Sequence, residues 1–400
     1  MISIAVLGYG TIGSGVVEVI ERNQKVIAGR AGDSIYVKYV LDLREFPDDP
    51  INEKVVHDFN IIKNDPEIEI VVEAMGGVEP AFTFAKGALE AGKHFATSNK
   101  ALIAARGSEL IALAKKKNVN CMFEASVGGG IPIIRTLCAC LTGDVIEEVS
   151  GILNGTTNYM LTSMTEDGSE FDDVLKEAQR LGYAEADPSA DIEGGDACRK
   201  IAILTSLISG KFADFEEIHT EGITNISAAD IKYAKVLGKK IKLIASTYKE
   251  GDTYLPLVAP YMVGPGQQLY NVDGVFNAVF VKGNMLGDSL YFGSGAGKLP
   301  TASAVVGDVV DCARHLEEHV PMGWSSEKLI LADYRKHAYR YFVRTSAGED
   351  AVKEIFPDAE FITAEGIEGE TAFTTQKING FEFEEKAEKL GGIISRIRIK

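Results

Sequence analysis

The chain has 400 residues, 46% apolar and 25% charged, a soluble globular balance long enough for two or three domains with a sizeable core. Its formal charge of −17 argues against a phosphate-backbone partner, because nucleic-acid binders carry basic faces. Five cysteines without a CxxC pair offer neither a disulfide framework nor a zinc knuckle and fit a reducing cytoplasm; with no leader pattern and no apolar run near about 18 residues, neither export nor a membrane span is expected.

In chain order, the first third alternates β-rich runs with helical patterns, the texture of a parallel sheet with crossover helices. ISIAVLG (2–8) reads as a buried strand and GSGVVEVIERNQKVIAG (13–29) as one amphipathic helix. Strands follow at YVKYVLD (36–42), IEIVVEAMGG (68–77) and HFATSN (94–99), with a helix at EPAFTFAKGALEAGK (79–93). SELIALAKKKN (108–118) and VNCMFEASV (119–127) continue the alternation. Residues 1–133, with a late segment at 300–320, are therefore expected to form a Rossmann-like dinucleotide-binding domain.

Beyond GGGIPIIRTLCACL the texture changes to a strand VIEEVSGILNG (145–155), helices at 172–181 and 195–209, and β runs between 240 and 295. Residues 134–299 thus read as a mixed α+β domain, for substrate binding and dimerisation. TASAVVGDVVDCARHLEEH (301–319) reads as a late helix. The tail, 335–400, spells strand, helix, two strands, helix, strand, the βαββαβ order of a ferredoxin-like unit.

In GYGTIGSGV, Gly8, Gly10 and Gly13 make GxGxxG between a strand and a helix. That setting gives a tight turn, close approach to a pyrophosphate and a helix N-terminus as anion site, here Gly8, Gly10, Thr11, Ile12 and Gly13. Asp42 ends the second strand and suits the adenosine ribose of NAD, while Arg44 suits the 2′-phosphate of NADP; both cofactors stay open. HLEEH (315–319) has the HxxEH form but reads as the end of a surface helix. DPSADIEGGDAC fails as a calcium loop, with Ile192 and Cys198 where Gly and Glu are required. GSGAGKLPT (293–301) is one residue too short for a phosphate loop, and Leu299 stands where that loop needs Ser or Thr.

The richest chemistry lies in GYAEADPSADIEGGDACRK (182–200). Asp196 and Lys200 are four residues apart at the start of a helix that is almost wholly apolar afterwards, so they share one face at a buried helix start. A lysine held among carboxylates there is a candidate acid/base group.

VEAMGG, TSNKALIA, EASVGGGIPII, GILNGTTNYML, the acidic stretch and GAGKLPTASAVVGD follow the glycine loop in an order and spacing that resemble homoserine dehydrogenases over about residues 1–320. The resemblance implies reversible NAD(P)-linked reduction of L-aspartate 4-semialdehyde to L-homoserine, a step toward threonine and methionine. By position it implies that Lys200 exchanges the proton with the substrate oxygen and that Lys100 is a second lysine at the reacting end. Glu185, Asp191, Asp196, Gly155 and Thr156 would hold substrate, and Asn99 with Lys100 would border the cofactor. Glu124, Val127, Gly129 and Ile131 would form a structural sodium or potassium site built largely from backbone carbonyls. Leu41 stands where many NADP-preferring relatives carry Arg, which leans toward NAD. The tail resembles an ACT regulatory domain, but RTSAGED lacks that module's Asp-x-Pro-Gly turn; an amino-acid effector and a purely assembling role are both open. A homodimer or dimer of dimers is implied.

Two alternatives compete. A dehydrogenase of another amino-acid semialdehyde keeps the fold, and its acylating version needs a cysteine nucleophile, whereas Cys121, Cys138, Cys140 and Cys198 sit in apolar or helical runs. A non-catalytic cofactor-sensing regulator needs no Lys200.

Overall fold

Ile2–Leu7 (β1) is buried at all six positions, as suits the middle of a parallel sheet covered on both faces. A computed structural model describing residues 1–400 sets it in a six-stranded parallel sheet between Ile35–Leu41 (β2), beyond which lies Val55–Val56 (β3), and Ile68–Glu73 (β4), beyond which lie His94–Thr97 (β5) and Cys121–Met122 (β6). The order is β3-β2-β1-β4-β5-β6. The strand order reverses between β1 and β4, and the crevice outside their carboxyl ends is where an open α/β sheet takes a ligand.

Residues 1–145, 202–215 and 293–329 cluster as one compact unit around this sheet, and residues 146–201, 216–292 and 330–400 as a second. The late segment 300–320 falls in the first unit and the tail 335–400 in the second.

In the first unit the expected helix 13–29 is two helices, Thr11–Arg22 and Gln24–Ala31. They part at Asn23, whose φ of −108° and ψ of 17° leave the helical region; Asn is a residue that favours such boundaries. The helix Lys100–Lys117 begins eight residues before the expected start, because Asn99 caps it through a hydrogen bond from the Leu102 N–H at 3.0 Å. The late helix runs Lys298–Arg314, packing so tightly on the first helix that a Cβ at Gly15 would stand 3.0 Å from the Lys298 carbonyl oxygen. His315 and His319 lie beyond its end, each ring Nδ1 on a backbone carbonyl, so HLEEH is no helical metal motif.

The second unit is built on an eleven-stranded mixed sheet. Its spine is the hairpin Lys240–Glu250 and Thr253–Val263, paired without a slip over its whole length. Ile146–Ile152 pairs with Lys240–Glu250 and with Phe276–Gly283, and Gly287–Ser294 forms the edge. The expected strand 145–155 ends at Ile152, because Asn154 opens a helix, Gly155–Asp167, absent from the expectation. Buried Lys242 ties that helix to the sheet through Asn158 Oδ1 at 3.0 Å and Asp273 at 2.8 Å.

The tail forms Ala338–Thr345, the helix Glu349–Ile355, Glu360–Ile362, Thr371–Thr374, the helix Gly380–Leu390 and Ile393–Ile399. Its four main strands lie fourth-first-third-second, the ferredoxin-like arrangement, plus a short added strand Ile378–Asn379. The last strand also pairs in parallel with Thr253–Val263, through Arg398 opposite Tyr261 and Ile399 opposite Met262. Tyr341, Phe373 and Phe383 of the tail accordingly share one core with Leu255, Leu257 and Phe280.

Candidate active site

The glycine turn is built at the end of β1. Gly8 has φ +90°, a left-handed value that favours glycine, and a Cβ on Gly13 would stand 1.8 Å from the Gly8 carbonyl oxygen. Gly10, by contrast, faces open space and precedes the helix with no side-chain cap, so the first-turn N–H groups there are oriented for an anion. Thr11 is exposed and Ile12 half-buried in that turn. These glycines border a cleft of about 520 Å³ whose wall includes Asp42, Arg44, Met75 and Pro80.

Asp42 is the electrostatic pivot of the cleft. It accepts the Tyr9 N–H at 2.8 Å and both Nε and Nη2 of Arg44, at 3.0 and 2.9 Å. The Arg44 hydrogen bonds, then the backbone ones, outweigh the cost of partial burial and hold its carboxyl well below the usual range. Across the carboxyl ends of β4 and β5, fully buried Glu73 accepts the Met75 and Gly76 N–H groups and the Thr97 hydroxyl, the last at 2.5 Å. Thr97 in turn accepts the Asn99 N–H, and the Asn99 amide donates to the Gly77 carbonyl at 2.6 Å. This chain of bonds sets the turn from which Lys100 opens its helix.

The residues expected on the substrate side all lie in the second unit. Lys200, its side chain 10% exposed, donates to the Leu153 carbonyl at 2.7 Å and pairs with Asp196, 4% exposed, at 2.8 Å. The Asn154 amide donates to Asp191 at 2.7 Å and to Asp196 at 3.0 Å, while its oxygen caps the helix by accepting the Thr157 N–H at 2.8 Å. Asn154 therefore holds two carboxylates with one group and the helix start with the other. Gly155 leaves no room for a side chain, since a Cβ would lie 2.8 Å from the Val275 carbonyl oxygen. The Thr156 hydroxyl donates to the Tyr183 carbonyl at 2.6 Å, which leaves its oxygen as an acceptor. Glu185 is not drawn into the cluster: it is exposed, and only its backbone carbonyl is bonded, by Gln179. Asp187 caps Ser189, as an ordinary loop carboxylate does.

One unit thus holds a lysine–carboxylate pair beside an amide that bonds two carboxylates, and the other holds a glycine loop over an acidic strand end. Comparison with known protein families finds the NAD-binding domain of homoserine dehydrogenase over residues 8–124 and the homoserine dehydrogenase domain over residues 132–310. The chain belongs to the homoserine dehydrogenase family. It is an NAD(P)-dependent oxidoreductase. The homoserine dehydrogenase of Neisseria gonorrhoeae is 45% identical over 79% of this chain and 73% of its own length, and that of Bacillus subtilis 39% identical over 84% and 77%. Among solved structures, a homoserine dehydrogenase from Thiobacillus denitrificans aligns with TM-score 0.93 at 36% identity, covering 100% of this chain and 98% of that one. A hyperthermophilic archaeal homoserine dehydrogenase in complex with NADPH aligns with TM-score 0.68 at 29% identity, covering 78% and 97%.

The residues expected to hold a monovalent cation form a buried turn. The Glu124 carboxylate accepts the Ile134 and Arg135 N–H groups at 2.8 and 2.7 Å, and burial first, against those bonds, pushes its pKa up. Its side chain is thus committed to the backbone. Gly129 and Ile131 are buried residues whose carbonyls accept no turn or loop backbone N–H, so hard oxygen donors are available there, which fits sodium or potassium. Two of the thiols are held protonated: burial pushes Cys121 up to about 12 and half-buried Cys138 up to about 11. Asn154 and Glu73 are the two organising residues that sequence reasoning missed. The Asn-Gly-Thr-Thr run was a usable N-cap signal for Asn154; nothing local marks Glu73.

Proposed function

We propose that the chain interconverts L-aspartate 4-semialdehyde and L-homoserine with Lys200 as the proton-exchanging residue. The observation that carries this reading is the Asp196–Lys200–Leu153 arrangement. An ammonium has three N–H donors; two are oriented by Asp196 and the Leu153 carbonyl, which leaves the third for a substrate oxygen. When bound, the nicotinamide supplies or accepts the hydride. As hydride reaches the aldehyde carbon, Lys200 stabilises the charge growing on oxygen and gives it a proton; in the reverse direction Lys200 takes the hydroxyl proton back. Lys100 is assigned as a second cation at the reacting end, placed by the Asn99 cap.

Asp191 and Asp196 are assigned to orient the substrate and the lysine, and exposed Glu185 to pair the α-ammonium. Gly155 and Thr156 are assigned to the substrate side as backbone and hydroxyl contacts, the Thr156 hydroxyl as an acceptor because its proton goes to the Tyr183 carbonyl. On the nucleotide side, Gly8, Gly10, Thr11, Ile12 and Gly13 are assigned to the pyrophosphate. Asp42 is assigned to the adenosine ribose: its ionised carboxylate favours the diol of NAD, and Arg44 is already bidentate on it. A sodium or potassium ion is assigned to the carbonyls of Glu124, Val127, Gly129 and Ile131, in a structural role. A homodimer or dimer of dimers is supported by exposed Phe276, Met285, Leu290 and Phe292 on one hairpin.

The test is Lys200→Ala beside Lys200→Arg. The account expects kcat to fall at least about 100-fold in the alanine variant, the scale of general acid–base catalysis, with nucleotide affinity within a few-fold of wild type. A variant that loses only nucleotide affinity would remove Lys200 from the chemistry.

A further inference from the structure

Asp191 and Asp196 are joined by a turn in which the Gly194 N–H donates to the Asp191 carbonyl at 3.0 Å and the Cys198 N–H to the Gly194 carbonyl at 2.9 Å. Residues 219–223, in the same unit, pack against this turn without slack. The Ile223 N–H donates to the Ile192 carbonyl at 2.7 Å, and a Cβ on Gly222 would stand 2.2 Å from that same oxygen. Gly194, at φ +86°, meets Thr220 so closely that a Cβ there would lie 2.9 Å from its methyl carbon. A shift of residues 220–222 therefore shifts the peptide that joins the two carboxylates.

The last strand of the tail fixes that segment. Lys240–Glu250 fills one edge of Thr253–Val263 over its whole length, so His219–Thr220 and Ile393–Ile399 share the other, opposite Leu257 and Val258 and opposite Tyr261 and Met262. Glu221 follows at once, its N–H on the Val258 carbonyl at 2.8 Å. Its carboxylate takes Arg398 Nη1 at 2.8 Å and faces His219 Nε2 at 2.8 Å, and the His219 ring stacks on Tyr334 with centroids 3.9 Å apart. Arg398 is itself 4% exposed and stands 5.6 to 5.9 Å from the ring centroids of Tyr334, Tyr339 and Tyr341. Burial favours the neutral acid at Glu221, but the His219 and Arg398 bonds keep it ionised.

We propose that Glu221 is a positioning residue for the reaction: clamped by Arg398, it fixes the turn that spaces Asp191 from Asp196. The proposal rests on the assignment of those two carboxylates to the substrate. A buried ion pair is by itself weak evidence of stability, since desolvation offsets the attraction. This pair has a geometric use instead, because the residue after Glu221 is the glycine that abuts the Ile192 carbonyl. The tail thus supports substrate binding with no effector bound.

Glu221→Gln and Arg398→Met in the full chain, compared with Arg344→Met, test the clamp. Arg344 is the matched control: it too is a buried arginine of the tail, but it pairs with Asp230 and Glu370, outside residues 219–223. All three variants are expected to unfold at lower urea concentration. Only Glu221→Gln and Arg398→Met should raise the KM for L-homoserine, about tenfold or more, with the KM for nucleotide within about twofold of wild type. The double variant should be no worse than either single one, because both break the same link. Hydrogen exchange of the free protein reads the clamp without turnover: amides of residues 191–198 should exchange faster in those two variants and at the wild-type rate in Arg344→Met. An unchanged KM for homoserine in Glu221→Gln, an equal rise for both substrates, or an equal effect of Arg344→Met overturns the positioning role. Unchanged exchange at residues 191–198 overturns the clamp itself. A wild type that oxidises no homoserine overturns instead the reading of the substrate site, and the kinetic role of Glu221 with it.

Discussion

Asp42 and Arg44 show how neighbouring opposite charges divide a recognition task. If Asp42 grips the ribose, Asp42→Ala should raise the KM for NAD about tenfold or more, the worth of hydrogen bonds to a charged group, and that for NADP much less, because Arg44 is released toward a 2′-phosphate. Equal effects on both constants would remove Asp42 from that role. Asn154 carries a different load. Asn154→Ala deletes a helix cap and should cost about 1–2 kcal/mol in urea unfolding, and it should also lower kcat/KM, since Asp191 and Asp196 lose the amide that spaces them. Loss of stability with unchanged kcat/KM would reduce Asn154 to a cap. The Asp196–Lys200 pair was legible because a four-residue spacing on an apolar helix is a local pattern. Asn154 touches partners 37 and 42 residues away, and no local pattern reports those.

Among the elements, the glycine turn is the least tolerant. Gly13→Ala puts a Cβ against the Gly8 carbonyl oxygen and should weaken nucleotide binding at least about tenfold, read by NAD(P)H fluorescence; undiminished affinity would show that the turn can open. Strands came through well from sequence because their apolar runs are short and bounded, whereas the break at Asn23 and the helix at Gly155–Asp167 did not. Asn23 interrupts an apolar periodicity that continues past it, and the Gly155 helix opens with Gly-Thr-Thr-Asn, poor helix formers held by one cap.

One element junction is pH-sensitive. Burial alone would raise Glu221, but hydrogen bonds with His219 and Arg398 overcome it and pull its pKa from 4.5 down to about 2. Because the folded value is depressed, the stabilisation is complete above about pH 4.5 and is lost as pH falls toward 2, about 3 kcal/mol in all. Glu221→Gln should therefore be less stable at pH 7 and should lose less stability across that window. An unchanged slope would mean that the Arg398 pair contributes nothing to acid unfolding.

For the whole molecule, the tail raises the sharpest question of organisation. Its βαββαβ order was legible from six short runs, but its last strand pairs with Thr253–Val263 and its aromatics enter the core around Leu255 and Leu257. Those partners lie between about 80 and 140 residues upstream and could not be foreseen. Deleting residues 335–400 is accordingly expected to expose that core and to yield little soluble protein; a stable, active truncation would show that the tail is dispensable to the fold. The central claim, that this chain oxidises homoserine through Lys200, is tested most directly by absorbance at 340 nm with L-homoserine and either NAD or NADP. The wild type should produce reduced cofactor and Lys200→Ala almost none; a wild type silent with both cofactors, or an alanine variant that keeps pace with it, would contradict the account.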